Sequence, residues 1–476
     1  MAQFNGNISI SRVDDLTWDI VCTPGKSSIW IVSGRGYPQT VTNTQKALDM
    51  DKADLLNQTR TWWQAFTSRR IDFAKRLPAH VPQRERLLQT IDDVAVLIKV
   101  QQATEGSSMA GYNYHLGYVR DQYGVSRGLL KMGYTAEAKA VLQFYWDIWQ
   151  RKGKIHNAQG IGLDAFHVHE NDEVEITGYL IIQAFDYMKT TGDEAYIKTI
   201  FPMLEWAYDC QVRNLHQAML PFNGDETYIA GGILPRTAMF DGSSEATLLL
   251  LVGGQELVDW ATKQKLWTSK KITEVKNTLQ DVHSRYATNF LDGGRLLTNN
   301  PARKEGLVYP AFRHGVCESC YAFGWTQRTV NNRYLCPVCF PHKILPDLKD
   351  EKFFLQSVSL TLMYIHNNIL SASQVENFVQ DIISSYTATG KFPSSPDGNR
   401  TVGYDYGLFL YALVRMNHPL KDRVYTQMLD VIDDTGAWVE YYEDGIPSGT
   451  LCRPWESAIN IEAAIHYAES FLKTGK

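Results

Sequence analysis

From Asp51 onward the chain is a succession of helical segments with short connections, and this pattern restricts the fold more than any other feature of the sequence. In one segment Leu87, Ile91, Val94 and Ile98 recur at the spacing of a single helix face. Further helices are predicted near residues 51–76, 119–132, 135–151, 173–190, 194–214, 243–263, 268–290, 351–367, 374–388, 403–417, 421–433 and 456–473. The predicted fold class is therefore all-α.

Some of these segments have small or apolar residues on almost every face of the predicted helix, as in the run from Ser243 to Val252. Such helices suit the inner ring of a double-layered barrel, whose outer ring can stay amphipathic. A helical solenoid would show a fixed repeat period, and the sequence has none. We therefore predict an (α/α)6 toroid over residues 46–476 with its site at one end. The loops expected to form that site lie near 115–121, 166–175, 222–243, 391–405 and 437–456.

Two local features complete the fold prediction. Residues 1–45 carry alternating β-formers with turn residues such as Pro24–Gly25 between them, which predicts a short β-rich N-terminal segment. Ser373, followed three residues later by Glu376, predicts a capping box for the helix near 374–388.

The bulk composition excludes several classes of protein. With 44% hydrophobic residues, 21% charged residues and a formal charge of -5, the chain has the composition of a globular protein with no nucleic-acid partner. No apolar run reaches the roughly 18 residues of a membrane span, and the first residues lack a leader pattern. We expect a cytoplasmic protein with no membrane association. The oligomeric state is left open.

Four of the seven cysteines form two CxxC pairs separated by fifteen residues. They are Cys317, Cys320, Cys336 and Cys339. Four thiolates at this spacing match tetrahedral Zn2+ in a zinc ribbon inserted at about 293–345, with iron as a minor alternative. A closed set of four ligands leaves no open position, so the predicted zinc is structural and no organic cofactor is expected.

The predicted insert is also basic, and basic residues can indicate a nucleic-acid or protein partner. Its cations include Arg303, Lys304, Arg313, Arg328 and Arg333. Solvation of an exposed knuckle or contact with a partner subunit explains them better than nucleic acid does.

Acidic and aromatic residues gather in three distant places. Arg120–Asp121 opens a predicted helix, Asp225–Glu226 follows a glycine, and Glu440 lies between Val439 and two tyrosines. An adjacent guanidinium and carboxylate can bind two vicinal sugar hydroxyls. Two separated glutamates can provide the acid and the base that cleave a glycosidic bond. These features predict a carbohydrate-active enzyme.

In order and spacing these motifs resemble those of the glucoamylase-like glycoside hydrolases of family 15 and related inverting (α/α)6-barrel glycosidases. The resemblance rests on Tyr118–Asp121, Leu220–Glu226 before Asp241–Ser244, Trp438–Tyr442 and Arg453–Ser457. It implies an inverting, exo-acting α-glycosidase that hydrolyses α-glucosides or related oligosaccharides, with Glu226 as general acid and Glu440 as general base. The residues expected to bind substrate are Tyr118, Arg120, Asp121, Glu175, Asp225, Trp438, Tyr441 and Trp455.

Several alternatives stay open at this point. Glu173 or Glu175 is the reserve acid and Glu456 the reserve base. The segment from His167 to Glu175 could bind a metal, although helix capping or sugar-hydroxyl binding explains its acidic residues more simply. An inverting phosphorylase would replace the base with a phosphate pocket. A polysaccharide lyase or sugar epimerase would use His115 or Tyr118. A non-catalytic sugar-binding scaffold is the alternative from another class.

Overall fold

A computed structural model describes most of the chain, and it separates into two compact units, Met1–Arg69 and Arg70–Lys476. The residues described are 2–5, 8–13, 18–22, 28–34, 36–162, 164–169, 171–230, 233–234, 236–303, 312–313, 316–317, 329–330, 333–334, 351–365, 369–392 and 399–472. No described helix is both long enough and apolar enough to cross a bilayer.

In its described residues the first unit contains two antiparallel strand pairs and two helices. Ala2–Asn5 pairs with Ser28–Ile31, and Ile8–Arg12 pairs with Trp18–Cys22. The helices are α1 (Tyr37–Asp49) and α2 (Lys52–Thr67). The Asp51 carboxylate accepts a hydrogen bond from the Asp54 N–H, which satisfies one of the free donors at the start of α2. The β-rich segment predicted for residues 1–45 is thus one part of this unit.

The second unit is built mainly from helices joined by loops with short strands. The helices are α3 (Phe73–Arg76), α4 (Arg84–Gln101), α5 (Val119–Met132), α6 (Thr135–Lys152), α7 (Glu175–Thr191), α8 (Glu194–Arg213), α9 (Thr227–Ala230), α10 (Ser244–Lys263), α11 (Ser269–Phe290), α12 (Gln356–Tyr364), α13 (Ala372–Thr389), α14 (Asp405–Arg415), α15 (Lys421–Asp430) and α16 (Pro454–Ser470). Two 3-10 turns, Arg236–Phe240 and Pro301–Arg303, complete the helical elements described.

Six helices of this unit form a closed inner ring. Each packs on the next in the order α5, α7, α10, α12, α14, α16, and α16 packs back on α5. Six further helices, α4, α6, α8, α11, α13 and α15, pack on the outside of the ring. The chain therefore alternates between an outer and an inner helix, which is the double-layered arrangement of an (α/α)6 barrel.

The two rings differ in sequence as their positions require. In α10 every residue from Ser244 to Gly254 is buried, because an inner helix meets protein on all sides. In α11 the buried residues form one stripe and the rest of the helix faces solvent. The stripe consists of Val275, Leu279, Val282, Tyr286 and Phe290.

Glycines allow inner helices to approach closely. A Cβ at Gly407 of α14 would lie 2.4 Å from Oδ1 of Asn460 in α16, and a Cβ at Gly128 of α5 would lie 2.8 Å from Cβ of Ala458. Both distances are shorter than van der Waals contact, so these helix pairs could not keep their spacing with a larger residue.

In the described part of the second unit, small antiparallel sheets occur in the loops between helices. Three of them have three strands: Leu116–Tyr118 with Ala158–Gly160 and Phe166–His167; Leu220–Pro221 with Gly242–Ser243 and Asn299–Asn300; and Arg400–Val402 with Tyr441–Glu443 and Ile446–Pro447. Two-stranded pairs are formed by Leu291–Asp292 with Arg295–Leu296, Phe312–Arg313 with Val316–Cys317, and Thr329–Val330 with Arg333–Tyr334. The first and third of the larger sheets hold residues of the predicted site in place.

The capping box of α13 and the four-cysteine cluster were both predicted from the sequence. The capping box of α13 is formed by Ser371 and Gln374, so the prediction of Ser373 and Glu376 was wrong by two residues. The side chains of Val375 and Phe378 are buried in the observed register, and their packing determines where the helix begins. Of the predicted zinc ligands, Cys320, Cys336 and Cys339 lie outside the described residues, and only the backbone of Cys317 is described.

Candidate active site

A cavity of about 240 Å³ lies at the end of the barrel where inner helices α5 and α16 begin. Its lining residues come from these helix starts and from the loops that precede inner helices. They are Ala110, Tyr114, Tyr118, Arg120, Asp121, Asp225, Ile233, Arg400, Val402, Glu440, Tyr441, Arg453 and Trp455. Of the ten predicted catalytic and substrate-binding residues, seven line this cavity, and Glu175, Glu226 and Trp438 do not.

Arg120 connects this cavity to the interior of the barrel. Its Nη1 lies 3.4 Å from Oε1 of Glu175, and its Nη2 donates to the backbone carbonyl of Asp225 at 2.8 Å. The guanidinium carbon also lies 5.2 Å from the ring centre of Trp455. These contacts fix the direction of a buried cation that the first turn of α5 places in the cavity wall.

Asp121 forms a second buried charge cluster with Arg453 and Glu456. Arg453 binds both carboxylate oxygens of Glu456 at 3.0 Å, and its Nη2 lies 3.5 Å from Oδ1 of Asp121. Burial raises the pKa of Asp121 to about 7, although the charges of Arg453 and Arg120 oppose this shift. A large part of the Asp121 population therefore carries a proton at neutral pH.

Asp225 reaches the cavity from the loop before α10. Its Oδ1 lies 3.0 Å from Nε2 of His169, and its Oδ2 accepts a hydrogen bond from Nδ2 of Asn157 at 2.8 Å. Burial alone would raise the pKa of Asp225, but the hydrogen bond with His169 and the charge of Arg120 outweigh it and lower the pKa to about 2. The carboxylate of Asp225 is therefore ionised in the free protein.

Glu440 lies in another wall of the cavity, just before the strand Tyr441–Glu443. Its Oε1 is 3.5 Å from the hydroxyl of Tyr114, and its Oε2 accepts from the Thr450 N–H at 3.3 Å. The next residue, Tyr441, presents its ring to Arg400, whose guanidinium carbon lies 4.4 Å from the ring centre. The half-exposed carboxylate of Glu440 is accessible from the cavity.

Trp455 provides the aromatic wall. Its ring stacks on that of Tyr404 with centres 4.6 Å apart and an angle of 22° between the planes. It also lies directly against Gly124 of α5, because a Cβ there would be 2.1 Å from Cδ1 of the indole. A fixed aromatic face of this kind can stack on the C–H face of a sugar ring.

Glu226 and Glu175 lie deeper in the barrel than this cavity. The Glu226 carboxylate accepts hydrogen bonds from the backbone N–H groups of Asn223 (2.6 Å) and Gly224 (3.0 Å) in its own loop. Both glutamates face a separate inner cavity of about 30 Å³, which is smaller than a sugar ring. Burial raises the pKa of each of them.

The remaining candidates have structural partners. Trp438 is fully buried, and its Nε1 donates to the carbonyl of Met428, so it belongs to the core rather than to the cavity wall. The reserve acid Glu173 pairs with Arg213 at 3.1 Å. The reserve base Glu456 lies behind the cavity, where Arg453 binds it.

Tyr114 and Arg400 were not among the predicted site residues. Tyr114 lies six residues before the Arg120–Asp121 pair, and Arg400 enters the cavity through the strand that pairs with Tyr441–Glu443. The aromatic and glycine-rich stretch 111–118 was a signal for the first residue. A lone arginine beside the strand gives no such signal.

Comparisons with known proteins agree with this architecture. No known family profile matches the sequence, and no curated protein matches it. Solved structures do match. A bacterial glucoamylase complexed with acarbose superposes with a TM-score of 0.61 at 12% identity, covering 93% of this chain and 63% of that one. The fold is that of the (α/α)6 glycosidases.

Two other solved structures extend the comparison. A glycosidase variant in complex with glucose gives a TM-score of 0.58 at 10% identity, covering 82% of this chain and 99% of that one. A rhamnosidase from Klebsiella oxytoca with rhamnose bound gives 0.51 at 12% identity, covering 81% and 64%. The glucoamylase-like fold was thus predicted correctly from the short motifs.

Proposed function

We propose that this protein is an inverting glycoside hydrolase that removes a terminal sugar from α-glucosides or related oligosaccharides. One observation carries the proposal: Arg120 and Asp121 line the same cavity as Asp225 and Glu440, which come from loops more than two hundred residues apart. This combination provides both a group that binds hydroxyls and two carboxyl groups for acid and base catalysis. The ligands named for the similar structures, glucose, acarbose and rhamnose, support a carbohydrate substrate.

We assign the role of general acid to Asp225 rather than to Glu226. A general acid must lie within hydrogen-bond reach of the glycosidic oxygen, and this geometric condition comes before the pKa. Of the two residues only Asp225 lines the cavity, whereas the carboxylate of Glu226 binds backbone N–H groups. Asp225 is ionised in the free protein, so the proton that it donates must first be taken up from solvent. A bound sugar displaces water from the carboxylate, which raises its pKa and favours this uptake.

Glu440 is the proposed general base. It takes a proton from a water molecule whose oxygen attacks the anomeric carbon, while Asp225 protonates the departing glycosidic oxygen as the C–O bond breaks. The product then has the opposite anomeric configuration. The Tyr114 hydroxyl and the Thr450 N–H hold Glu440 in place for this step.

The size of the cavity supports attack at a chain end. A volume of about 240 Å³ is below the roughly 300–1,000 Å³ of pockets for drug-sized ligands, so it suits one sugar residue. Asp121 and Arg120 would bind adjacent hydroxyls of that residue, with the Trp455 ring beside it. Tyr118 is a poor base for lyase or epimerase chemistry, because burial raises its pKa to about 12.

The test is a screen of α-linked disaccharides and aryl α-glycosides with the product anomer followed by NMR. We expect the first-formed sugar to have the inverted configuration, and retention would contradict the mechanism. Asp225→Asn should lower kcat by about 10²- to 10⁴-fold on disaccharides but much less on dinitrophenyl glycosides, whose leaving group needs no protonation. Glu440→Gln should lower kcat on both substrates.

Two controls separate the assignments. Glu226→Gln should retain the dependence on leaving group seen in the wild type, since Glu226 does not donate the proton. If Glu226→Gln rather than Asp225→Asn is rescued by a good leaving group, Glu226 is the acid. Turnover that requires added phosphate would identify a phosphorylase instead.

A further inference from the structure

Two histidines and one carboxylate meet beside the sugar cavity. His167 ends a strand, His169 follows two residues later, and Asp225 comes from the loop before α10. One ligand atom from each of the three side chains lies within 4.8 Å of the other two. The Nε2 of His169 and the Oδ1 of Asp225 are 3.0 Å apart. Two atoms bound to one ion at about 2.1 Å are separated by about 3.0–3.4 Å, so this pair already has the required spacing.

Neighbouring residues hold the cluster in position. The Asp172 carboxylate accepts the backbone N–H groups of Asn157 (2.8 Å) and His169 (3.3 Å) and so joins their two segments. Asn157 in turn donates from Nδ2 to the second oxygen of Asp225 at 2.8 Å, which leaves the Oδ1 turned towards the imidazole. Supporting hydrogen bonds of this kind orient the ligands in metal sites.

The cluster is also accessible. The His167 side chain is exposed, while 11% of the His169 side chain and 14% of the Asp225 side chain are exposed. An ion could therefore enter from solvent on the His167 side. Three protein ligands would leave one or more positions for water, as in zinc sites that are not purely structural.

We propose that His167, His169 and Asp225 form a binding site for a divalent first-row transition ion such as Zn2+. Two imidazoles and one carboxylate favour such ions over Ca2+ and Mg2+, which prefer oxygen ligands. The site is distinct from the predicted four-cysteine ribbon, since it uses no thiolate.

A regulatory consequence rests on the function proposed above. An ion bound to Asp225 occupies the carboxylate that protonates the leaving group, so binding of the ion inhibits hydrolysis. Removal of the ion by a chelator restores the free carboxylate. The sugar-binding residues Arg120 and Asp121 are not ligands, so inhibition lowers kcat more than it raises KM.

Binding is tested first, without reference to turnover. Full-length protein treated with chelator is titrated with Zn2+ by calorimetry and with Co2+ by visible absorption, in the wild type and in His167→Ala, His169→Ala and His115→Ala. We expect His167→Ala and His169→Ala to bind one equivalent fewer, or to bind it at least tenfold more weakly. His115→Ala, which replaces a histidine outside the cluster, should bind as the wild type does.

Equal stoichiometry and affinity in the wild type and in His167→Ala would overturn the site. His167 is exposed, so its replacement keeps the test valid even if His169→Ala fails to fold. Any ion held by the cysteines is present in the wild type and in all three variants, so its contribution cancels when the stoichiometries of the four proteins are compared.

Inhibition is tested second. The Zn2+ concentration that halves hydrolysis should rise at least tenfold in His167→Ala, with activity in chelator unchanged. Unaltered inhibition in that variant would contradict the regulatory consequence. If the protein hydrolyses no glycoside at all, the proposed function fails, while the binding titrations still decide the metal site.

Discussion

The indole of Trp455 lies against Gly124, one turn into helix α5, so closely that a Cβ at Gly124 would be 2.1 Å from Cδ1 and 2.5 Å from Nε1 of the ring. The absence of a side chain at this position is what allows the ring to lie between α5 and Tyr404. The aromatic wall of the cavity therefore depends on a residue that does not line it.

We expect Gly124→Ala to displace the Trp455 ring and to raise KM for glycosides at least tenfold, with a stability loss of about 1–3 kcal/mol from overpacking. Steady-state kinetics and urea denaturation measure the two effects. Gly128→Ala is the matched control, because it overpacks the same helix pair against Ala458 one turn further along. An equal rise of KM in both variants would show that general helix displacement, not the ring, is responsible.

The buried ion pair between Arg120 and Glu175 gives a second prediction. Arg120→Ala leaves the Glu175 side chain, which is 1% exposed, without its cation and should lower the free energy of unfolding by up to about 3–5 kcal/mol. The loss is smaller to the extent that Glu175 takes up a proton, because burial raises its pKa. Adding Glu175→Gln to this variant should recover part of the loss, because the uncompensated charge is removed. Urea denaturation of the two single variants and the double variant gives the coupling energy.

A surface pair serves as the control for that cycle. Lys391 and Asp444 form an ion pair in which both side chains are more than half exposed. Lys391→Ala should change stability by less than about 1 kcal/mol. A cost for Arg120→Ala no larger than for Lys391→Ala would mean that the pair under the cavity is not structural.

The sequence predicted the barrel and seven of the thirteen residues that line the cavity, because those signals are local. The helix that begins at Val119 carries Arg120 and Asp121 in its first turn. Predicting where this helix begins therefore also predicts where these two residues lie. The same holds for Trp455 near the start of α16. The hydrophobic periodicity of each helix then predicts whether it is buried on all sides, as in the inner ring, or on one side, as in the outer ring.

Which of the two residues Asp225 and Glu226 lines the cavity could not be predicted in this way. Adjacent carboxyl side chains point in different directions, and here the direction depends on Gly224, whose φ of 106° is favourable only for glycine. The turn at Gly224 exposes backbone N–H groups that bind Glu226 and leaves Asp225 facing the cavity. No pattern of residue types encodes that geometry.

Trp438 and the helix cap illustrate the same limit. An aromatic residue beside an acidic one is equally consistent with a sugar-binding wall and with the core, and only tertiary packing places Trp438 in the core. Two overlapping capping patterns two residues apart, at Ser371 and Ser373, are equivalent in sequence, and the burial of the following apolar residues selects the first.

The four-cysteine cluster predicts a bound metal that can be measured directly. We expect purified protein to contain about one equivalent of zinc that resists mild chelation, and Cys317→Ser with Cys320→Ser to lose it. Metal analysis by mass spectrometry gives the stoichiometry. The variants of the histidine cluster provide the control, since His167→Ala should keep this equivalent. Iron in place of zinc, or no metal in protein refolded with zinc, would contradict the prediction.

The last prediction concerns the pH dependence of stability. Asp121 has a pKa of about 7 in the folded protein, because burial outweighs Arg453 and Arg120, and about 3.9 when unfolded. Since the folded state holds the proton more tightly, this contribution to stability is fully present below pH 4 and is lost as the pH rises through 7. The free energy of unfolding should fall between pH 5 and pH 8.

Asp121→Asn tests this sign, because asparagine keeps the shape of the side chain and does not titrate. We expect the variant to lose about 2–3 kcal/mol less stability than the wild type between pH 5 and pH 8. Urea denaturation at both pH values measures the difference. The buried Glu226, whose pKa burial also raises, titrates in both proteins and cancels in the comparison. Glu456 shares Arg453 with Asp121, so a change in its titration is part of the measured difference. Parallel pH profiles would mean that Asp121 is ionised throughout, held by Arg453.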